Sequence, residues 1–150
     1  MEYIYDNQTI LDKLISECNS WIGTPFRHKT GVKGLGCDCI NFVGEVYKSI
    51  GAVKKNVKYP DYPKDWHLHQ TRSLMFEEIQ KYTDFDIIED KKDLRDGDLL
   101  LFNIGKTAAH AGIYIGGYVY EALSGTSVQK IKLMNSPRRR ALVKVIRLKV

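Results

Sequence analysis

Cys39 stands where a glycine-punctuated loop, Gly34-Leu35-Gly36-Cys37-Asp38, gives way to an amphipathic run ending at Gly51. Asp38 is a residue type that caps helices, so Cys39 is expected at the first helical position. Val43, Val46 and Ile50 follow at helical spacing on one face, and Gly51 supplies the stop. A thiol placed there faces unpaired backbone N–H groups and the positive end of the helix dipole, which favour thiolate and so make a nucleophile near neutral pH. The competing reading of a single cysteine is a small buried apolar residue.

Two further residues bear on that choice. His110 opens His110-Ala-Gly-Ile-Tyr-Ile-Gly116, where strand alternation sets Ala111, Ile113 and Ile115 on one face and His110, Gly112 and Tyr114 on the other. The small Gly112 and Ala111 leave room for a helix end or a substrate backbone beside the imidazole. Glu121 shares a face with Val119 and Leu123, and a carboxylate among apolar neighbours requires a partner. If a tight turn at Gly116-Gly117 joins the two strands, Glu121 falls opposite Gly112 and one diagonal step from His110. Thiol, imidazole and carboxylate are then a nucleophile, its base and the group that orients the base, as in thiol hydrolases. Spacing alone also fits a core cysteine, a strand-end histidine and an edge glutamate that never meet.

The elements that must position these residues change character along the chain. Thr9 is expected to open a first helix, with Asp12 in a capping-box arrangement and Leu11, Leu14, Ile15, Cys18, Trp21 and Ile22 as its apolar stripe. Cys18 within that stripe is assigned to packing. Residues 24–34 read as a polar, glycine-rich loop. Residues 53–70 hold Pro60, Pro63, Tyr59, Tyr62 and Trp66 and read as an ordered surface excursion. His67 and His69 have no further ligands nearby at zinc spacing and are taken as surface histidines, and 72–82 reads as a third helix. Strands are expected over 86–89, 98–102, 110–116, 118–123, 127–133 and 142–150. Helices followed by a strand meander make one α+β domain over residues 1–150.

A chain of 150 residues, 43% hydrophobic and 27% charged, is long enough for one domain with a core of its own. The formal charge of +5 is densest at Arg138-Arg139-Arg140, which suits an anionic polymer such as the bacterial wall, or is simply a solvated basic surface. No nucleic-acid motif accompanies that cluster, and Cys37-Asp-Cys39 with one histidine lacks the paired-cysteine spacing of a structural zinc site. Neither a metal nor a cofactor is therefore expected. Three cysteines, two of them only two apart, imply no disulfide framework and fit a reducing compartment. The first residues lack a basic segment followed by a long apolar run, and nothing downstream reaches the length of a membrane span. The expectation is synthesis in the cytoplasm without an export signal.

Four stretches in order, Trp21-Ile22-Gly23-Thr24-Pro25-Phe26, Gly36-Cys37-Asp38-Cys39, Arg95-Asp96-Gly97-Asp98-Leu99-Leu100-Leu101-Phe102 and His110 to Gly116, resemble the NlpC/P60 family of papain-like cysteine peptidases. Within it the likeness is greatest to phage-type cell wall peptidases of tail and gene-transfer-agent clusters. The resemblance implies a papain-like fold with the catalytic cysteine at a helix N-terminus packed on an antiparallel sheet. It makes Cys39 the nucleophile, His110 the base, Glu121 the third polar residue and Cys37 an accessory cysteine. The family more often has histidine at the third position and tyrosine where Phe26 stands. Phe26, His28 and Asp38 are assigned to the substrate side. The implied activity is hydrolysis of a peptide bond in the peptidoglycan stem, and the bond the resemblance points to is the γ-linked D-glutamate to diamino acid bond. It would act at the cell wall, with phage tail or particle proteins as partners. An amidase or acyltransferase of the same fold, and a structural tail component with a relict site, are the alternatives.

Overall fold

The computed structural model describes residues 1–54, 77, 80–104 and 107–150, with the backbone alone for 104 and 107–109. Tyr59, Tyr62, Trp66, His67, His69 and most of the helix expected over 72–82 lie outside the described residues; 80–82 are helical.

Helix α1 spans Gln8–Trp21 and starts one residue before Thr9, because Asn7 rather than Thr9 caps it. A short 3-10 turn, Ile4–Asp6, leaves Asn7 extended, and its Oδ1 accepts the Ile10 N–H at 3.0 Å. Asp12 is then inside the helix, where it accepts from Gln8 Nε2 at 2.7 Å. Leu11, Leu14, Cys18 and Trp21 are buried as their spacing requires, whereas Ile22, at the C-cap, turns outward. Helix α2 spans Cys39–Ser49 and meets α1 through an edge-on contact of Trp21 with Phe42, ring centres 5.8 Å apart. Gly51 ends the α2 segment with φ +81°, a conformation that strains any residue with a Cβ. Between the helices, the expected loop carries a two-stranded ribbon, β1 (Gly31–Val32) with β2 (Gly36–Cys37).

Six antiparallel strands form the sheet: β3 (Phe85–Ile88), β4 (Leu99–Ile104), β5 (Thr107–Ile115), β6 (Tyr118–Ala122), β7 (Val128–Lys132) and β8 (Leu142–Leu148). Their order is β3-β8-β4-β5-β6-β7, so the expected meander holds from β4 to β7 and fails at β8, which inserts between β3 and β4. The apolar content of β4 explains why. Leu99, Leu100, Leu101 and Phe102 are all buried, a continuous run that needs cover on both faces and neighbours on both edges. On one face Leu99, Leu101, Ala111, Ile113, Tyr120 and Ile146 join the core with α1 and α2. On the other, Leu100, Phe102, Val119, Leu133, Leu142 and Val145 form a second cluster. A one-and-a-half-turn helix, α3 (Pro137–Ala141), carries the basic cluster Arg138-Arg139-Arg140 and leads into β8. No described helix is long and apolar enough to cross a membrane.

Candidate active site

Asp38 fixes where the thiol goes. Its backbone is extended, its Oδ1 accepts both the backbone N–H and the side-chain amide of Asn41 at 2.9 Å, and its Oδ2 accepts the Lys29 N–H at 2.8 Å. The carboxylate is buried and ties the preceding loop to the helix start. Asp38 therefore acts in the resting protein as the cap of α2. Cys39 follows as the first helical residue, half-buried, with the N–H groups of Ala111, Ile40 and Cys39 itself directed at its sulfur. Ala111 is the neighbour of His110 on β5, so the helix start and the histidine strand meet at the thiol.

The expected strand register is present: Gly112 pairs with Glu121 across β5 and β6. His110 Nε2 and Glu121 Oε2 lie 2.5 Å apart, with both side chains buried. The Phe102 ring, tilted and 5.8 Å away, forms the wall beside the imidazole. Arg138, on α3, donates from Nε to both Glu121 oxygens at 3.0 and 2.9 Å. Burial alone would raise the Glu121 carboxyl, but the hydrogen bonds from His110 and Arg138 outweigh it and hold the group below the usual carboxylate range. An ionised Glu121 accepts, so Nε2 carries the proton and the Nδ1 lone pair is the basic site of the neutral ring.

The thiol departs from the sequence expectation. Burial pushes Cys39 up to about 12, the Asp38 charge adds to this, and the three backbone N–H groups only partly oppose it. The helix terminus by itself therefore does not hold a thiolate, because desolvation at this packed junction exceeds the dipole's effect. A thiolate here requires the proton to pass to a nearby base. Cys37 is fully buried and is likewise pushed up to about 12, by burial first and then by Asp38. Cys18, sealed in the core beneath α1, is shifted further by burial. Placement, not intrinsic acidity, sets Cys39 apart.

The remaining expected residues, Phe26 and His28, lie in the loop that precedes α2. The Phe26 N–H donates to Thr126 O at 2.9 Å and Phe26 bridges to Cys37, so the Pro25–Arg27 strip lies along β2. Phe26 and Cys39 border the same core. His28 is half-buried in the next turn, its carbonyl accepting from Thr30 Oγ1 at 3.3 Å. Tyr120, beside Glu121 on β6 but facing the core under α1 and α2, bonds through its hydroxyl to Asn19 Oδ1 at 2.9 Å. Sequence reasoning missed Arg138. The signal available was a buried carboxylate whose expected partner, an imidazole, need carry no charge, together with a Ser136-Pro137 helix start, but nothing local distinguishes Arg138 from its two neighbours. No group of three or more His, Cys, Asp or Glu side chains among the described residues is arranged to hold a metal ion.

The NlpC/P60 family model matches residues 23–147. The murein DD-endopeptidase MepS/murein LD-carboxypeptidase of Escherichia coli K12 is 26% identical over 136 residues, covering 91% of this chain and 61% of that protein. The chain thus spans less than two thirds of the length of this relative. An NlpC/P60 family protein from Bacillus cereus superposes with a TM-score of 0.60 at 24% identity, covering 90% of this chain and 39% of that one. The peptidoglycan hydrolase RipB of Mycobacterium tuberculosis gives 0.59 at 15% identity, covering 95% and 67%. These two share the fold, the papain-like arrangement of helices on an antiparallel sheet. A match over most of its length, and a cysteine helix set against a histidine strand, show that this chain belongs to the NlpC/P60 family.

Proposed function

We propose that this protein is a cysteine peptidase that hydrolyses peptide bonds in peptidoglycan stem peptides. The observation that carries the reading is the buried His110–Glu121 pair set beside a thiol at the start of α2. In this reading Cys39 Sγ gives its proton to His110 Nδ1 and attacks the scissile carbonyl carbon, and the carbonyl oxygen takes the negative charge. Backbone N–H groups at the helix start, that of Cys39 among them, stabilise this oxyanion. The imidazolium then donates its proton to the departing amine as the C–N bond breaks, leaving a thioester on Cys39. Water, deprotonated by the same nitrogen, attacks the thioester; the stem carboxylate leaves and the thiol is restored.

The finer assignment is a phage- or prophage-derived enzyme that cuts the γ-D-glutamyl to diamino acid bond and is delivered to the wall by a particle or by lysis. Its support is the resemblance carried by Gly36-Cys37-Asp38-Cys39 and by the basic segment before β8. The Escherichia coli relative's name instead points to DD and LD bonds of murein. Digestion of purified muropeptides, read by mass spectrometry, separates these cases, since each bond leaves a different fragment pair. Absence of any cleavage, with Cys39 alkylated at an ordinary thiol rate, would favour a tail component with a relict site. Phe26, which brings no hydroxyl to the strip beside β2, favours a second reading as an amidase or acyltransferase of the same fold. Faster turnover of simple amides or esters than of stem peptides would establish it.

A further inference from the structure

We propose that Arg138 is a positioning residue that works through Glu121, keeping its carboxylate aimed at His110 Nε2 and balancing its charge so that His110 remains able to release a proton. This rests on the reading of Cys39 and His110 as nucleophile and base. The basic run 138–140 divides in the fold. Arg138 is mostly buried and grips both oxygens of Glu121, Arg139 donates to the Lys91 carbonyl at 3.1 Å, and Arg140 is exposed.

The backbone holds Arg138 in place before any substrate arrives. Asn135 takes a left-handed conformation, φ +63°, and Ser136 bonds back to the Leu133 carbonyl through both its N–H, at 3.3 Å, and its hydroxyl, at 2.8 Å. Pro137 then starts α3 with its φ already fixed, and Arg139 fastens the far side of the same turn.

Charge explains what this arrangement does. Glu121 is 2% exposed, on the face that carries Phe102 and Val119, and a neutral imidazole offers it one N–H and no charge. A guanidinium is always cationic and gives the buried carboxylate a permanent counter-ion. The groups against His110 are Glu121 from β6, with Arg138 behind it from α3, and the uncharged Phe102 from β4; from the start of α2 the Cys39 thiol, itself beside the Asp38 charge, meets the N–H of the adjoining Ala111. Without Arg138 the whole carboxylate charge acts on the ring and stabilises imidazolium, hence the thiolate that accompanies it. The base would then hold its proton too tightly to pass it to a leaving amine.

The test uses the full chain carrying Arg138→Gln, Arg138→Lys, Glu121→Gln and the Gln/Gln double variant, with Cys39→Ala and His110→Ala alongside. In Arg138→Gln the pH at which Cys39 begins to react with iodoacetamide falls, and the alkaline limb of stem-peptide hydrolysis rises, each by about half to one pH unit. Its kcat drops about tenfold with little change in KM. Arg138→Lys returns both limbs, because the charge is kept, but only part of kcat, because an ammonium lacks the guanidinium fork. Added to Glu121→Gln, Arg138→Gln moves neither limb further. Unmoved limbs in a folded Arg138→Gln protein, or equal movement in the Glu121→Gln background, overturn the proposal. Should Arg138→Gln not fold, the Arg138 Nε–H resonance of the unmodified protein decides: it shifts over the pH range of Cys39 alkylation if the coupling exists, and a resonance indifferent to that range overturns it. Hydrolysis that survives Cys39→Ala or His110→Ala defeats the reading of the site instead, whereas alkylation reports on Arg138 without substrate.

Discussion

Gly112 lies opposite Glu121 in the β5–β6 ladder, and a Cβ added at Gly112 would fall 2.4 Å from Val119 Cγ1 and 3.0 Å from the Tyr120 carbonyl oxygen. The absence of a side chain is what lets β6 bring Glu121 within reach of His110. Gly112→Ala is therefore expected to destabilise the fold by about 1–3 kcal/mol through overpacking. It should also lower kcat by more than that loss of folded protein explains, because the His110–Glu121 bond lengthens. Denaturant melts and steady-state kinetics on the same preparation separate the two; a native-like melt with full activity would show that the strands tolerate the extra atom.

Cys39 should be the cysteine that iodoacetamide labels first near neutral pH, although burial pushes both Cys39 and Cys37 up to about 12. The distinction comes from His110 as proton acceptor and from the partial access to Cys39, against complete burial of Cys37 and Cys18. Cys39→Ala should abolish hydrolysis while Cys37→Ser keeps most of it. Faster alkylation at Cys37, located by fragment mass spectrometry, would place the nucleophile on β2 and refute the site.

Removing the charge of Glu121 should differ from removing its shape. Glu121→Gln keeps a hydrogen-bonding group but stabilises imidazolium less, so the alkaline limb of the rate profile moves to lower pH. Glu121→Ala frees the ring as well and should lose more, about 10- to 1000-fold in kcat, less than loss of Cys39 or His110. A wild-type rate and profile in Glu121→Ala would mean that the orienting residue lies elsewhere.

The same carboxylate couples folding to pH. Its folded-state pKa is lowered, so it contributes stability that is present above its unfolded value and is lost as pH falls through the folded one. Wild type should therefore lose melting temperature more steeply than Glu121→Gln as pH drops below about 4.5, the ordinary range for a glutamate. Parallel melting curves for the two proteins across that window would contradict the linkage.

Arg147 and Asp98 form a second buried pair, with guanidinium nitrogens 2.9 Å from each carboxylate oxygen, and Asp98 Oδ2 also accepts the Arg95 N–H at 2.8 Å. Arg147→Met should cost about 3–5 kcal/mol because Asp98 is left charged and buried without its partner. Asp98→Asn combined with Arg147→Met should recover part of that loss. A single-variant loss below 1 kcal/mol would show that water reaches the pair.

What could be read from the chain was what short-range rules decide. The α2 start was legible because Asp38, Cys39 and Gly51 act within one helix, and the Glu121 register because a two-residue glycine turn leaves few ways to pair the flanking strands. Asn7 displaced Thr9 as a cap because the preceding 3-10 turn, which no strong pattern marks, sets its backbone. The insertion of β8, the grip of Arg138 on Glu121 and the burial that raises Cys39 all depend on residues well beyond one turn or hairpin. Sequence spacing carries no record of such meetings.

The placement of β8 has a consequence for the order in which the protein comes into being. β8 borders β4 on one side and β3 on the other, and beyond it Val150 exchanges backbone hydrogen bonds with Glu2, at 3.1 and 2.8 Å. A nascent chain emerging from the ribosome can build α1, α2 and the β4–β7 hairpins, yet β3 and the N-terminal residues must wait for β8 before they have anything to pair with. Arg138 emerges just ahead of that strand. The thiol is thus translated well before the imidazole and the carboxylate, and the site is complete only once Arg138 and β8 have followed them.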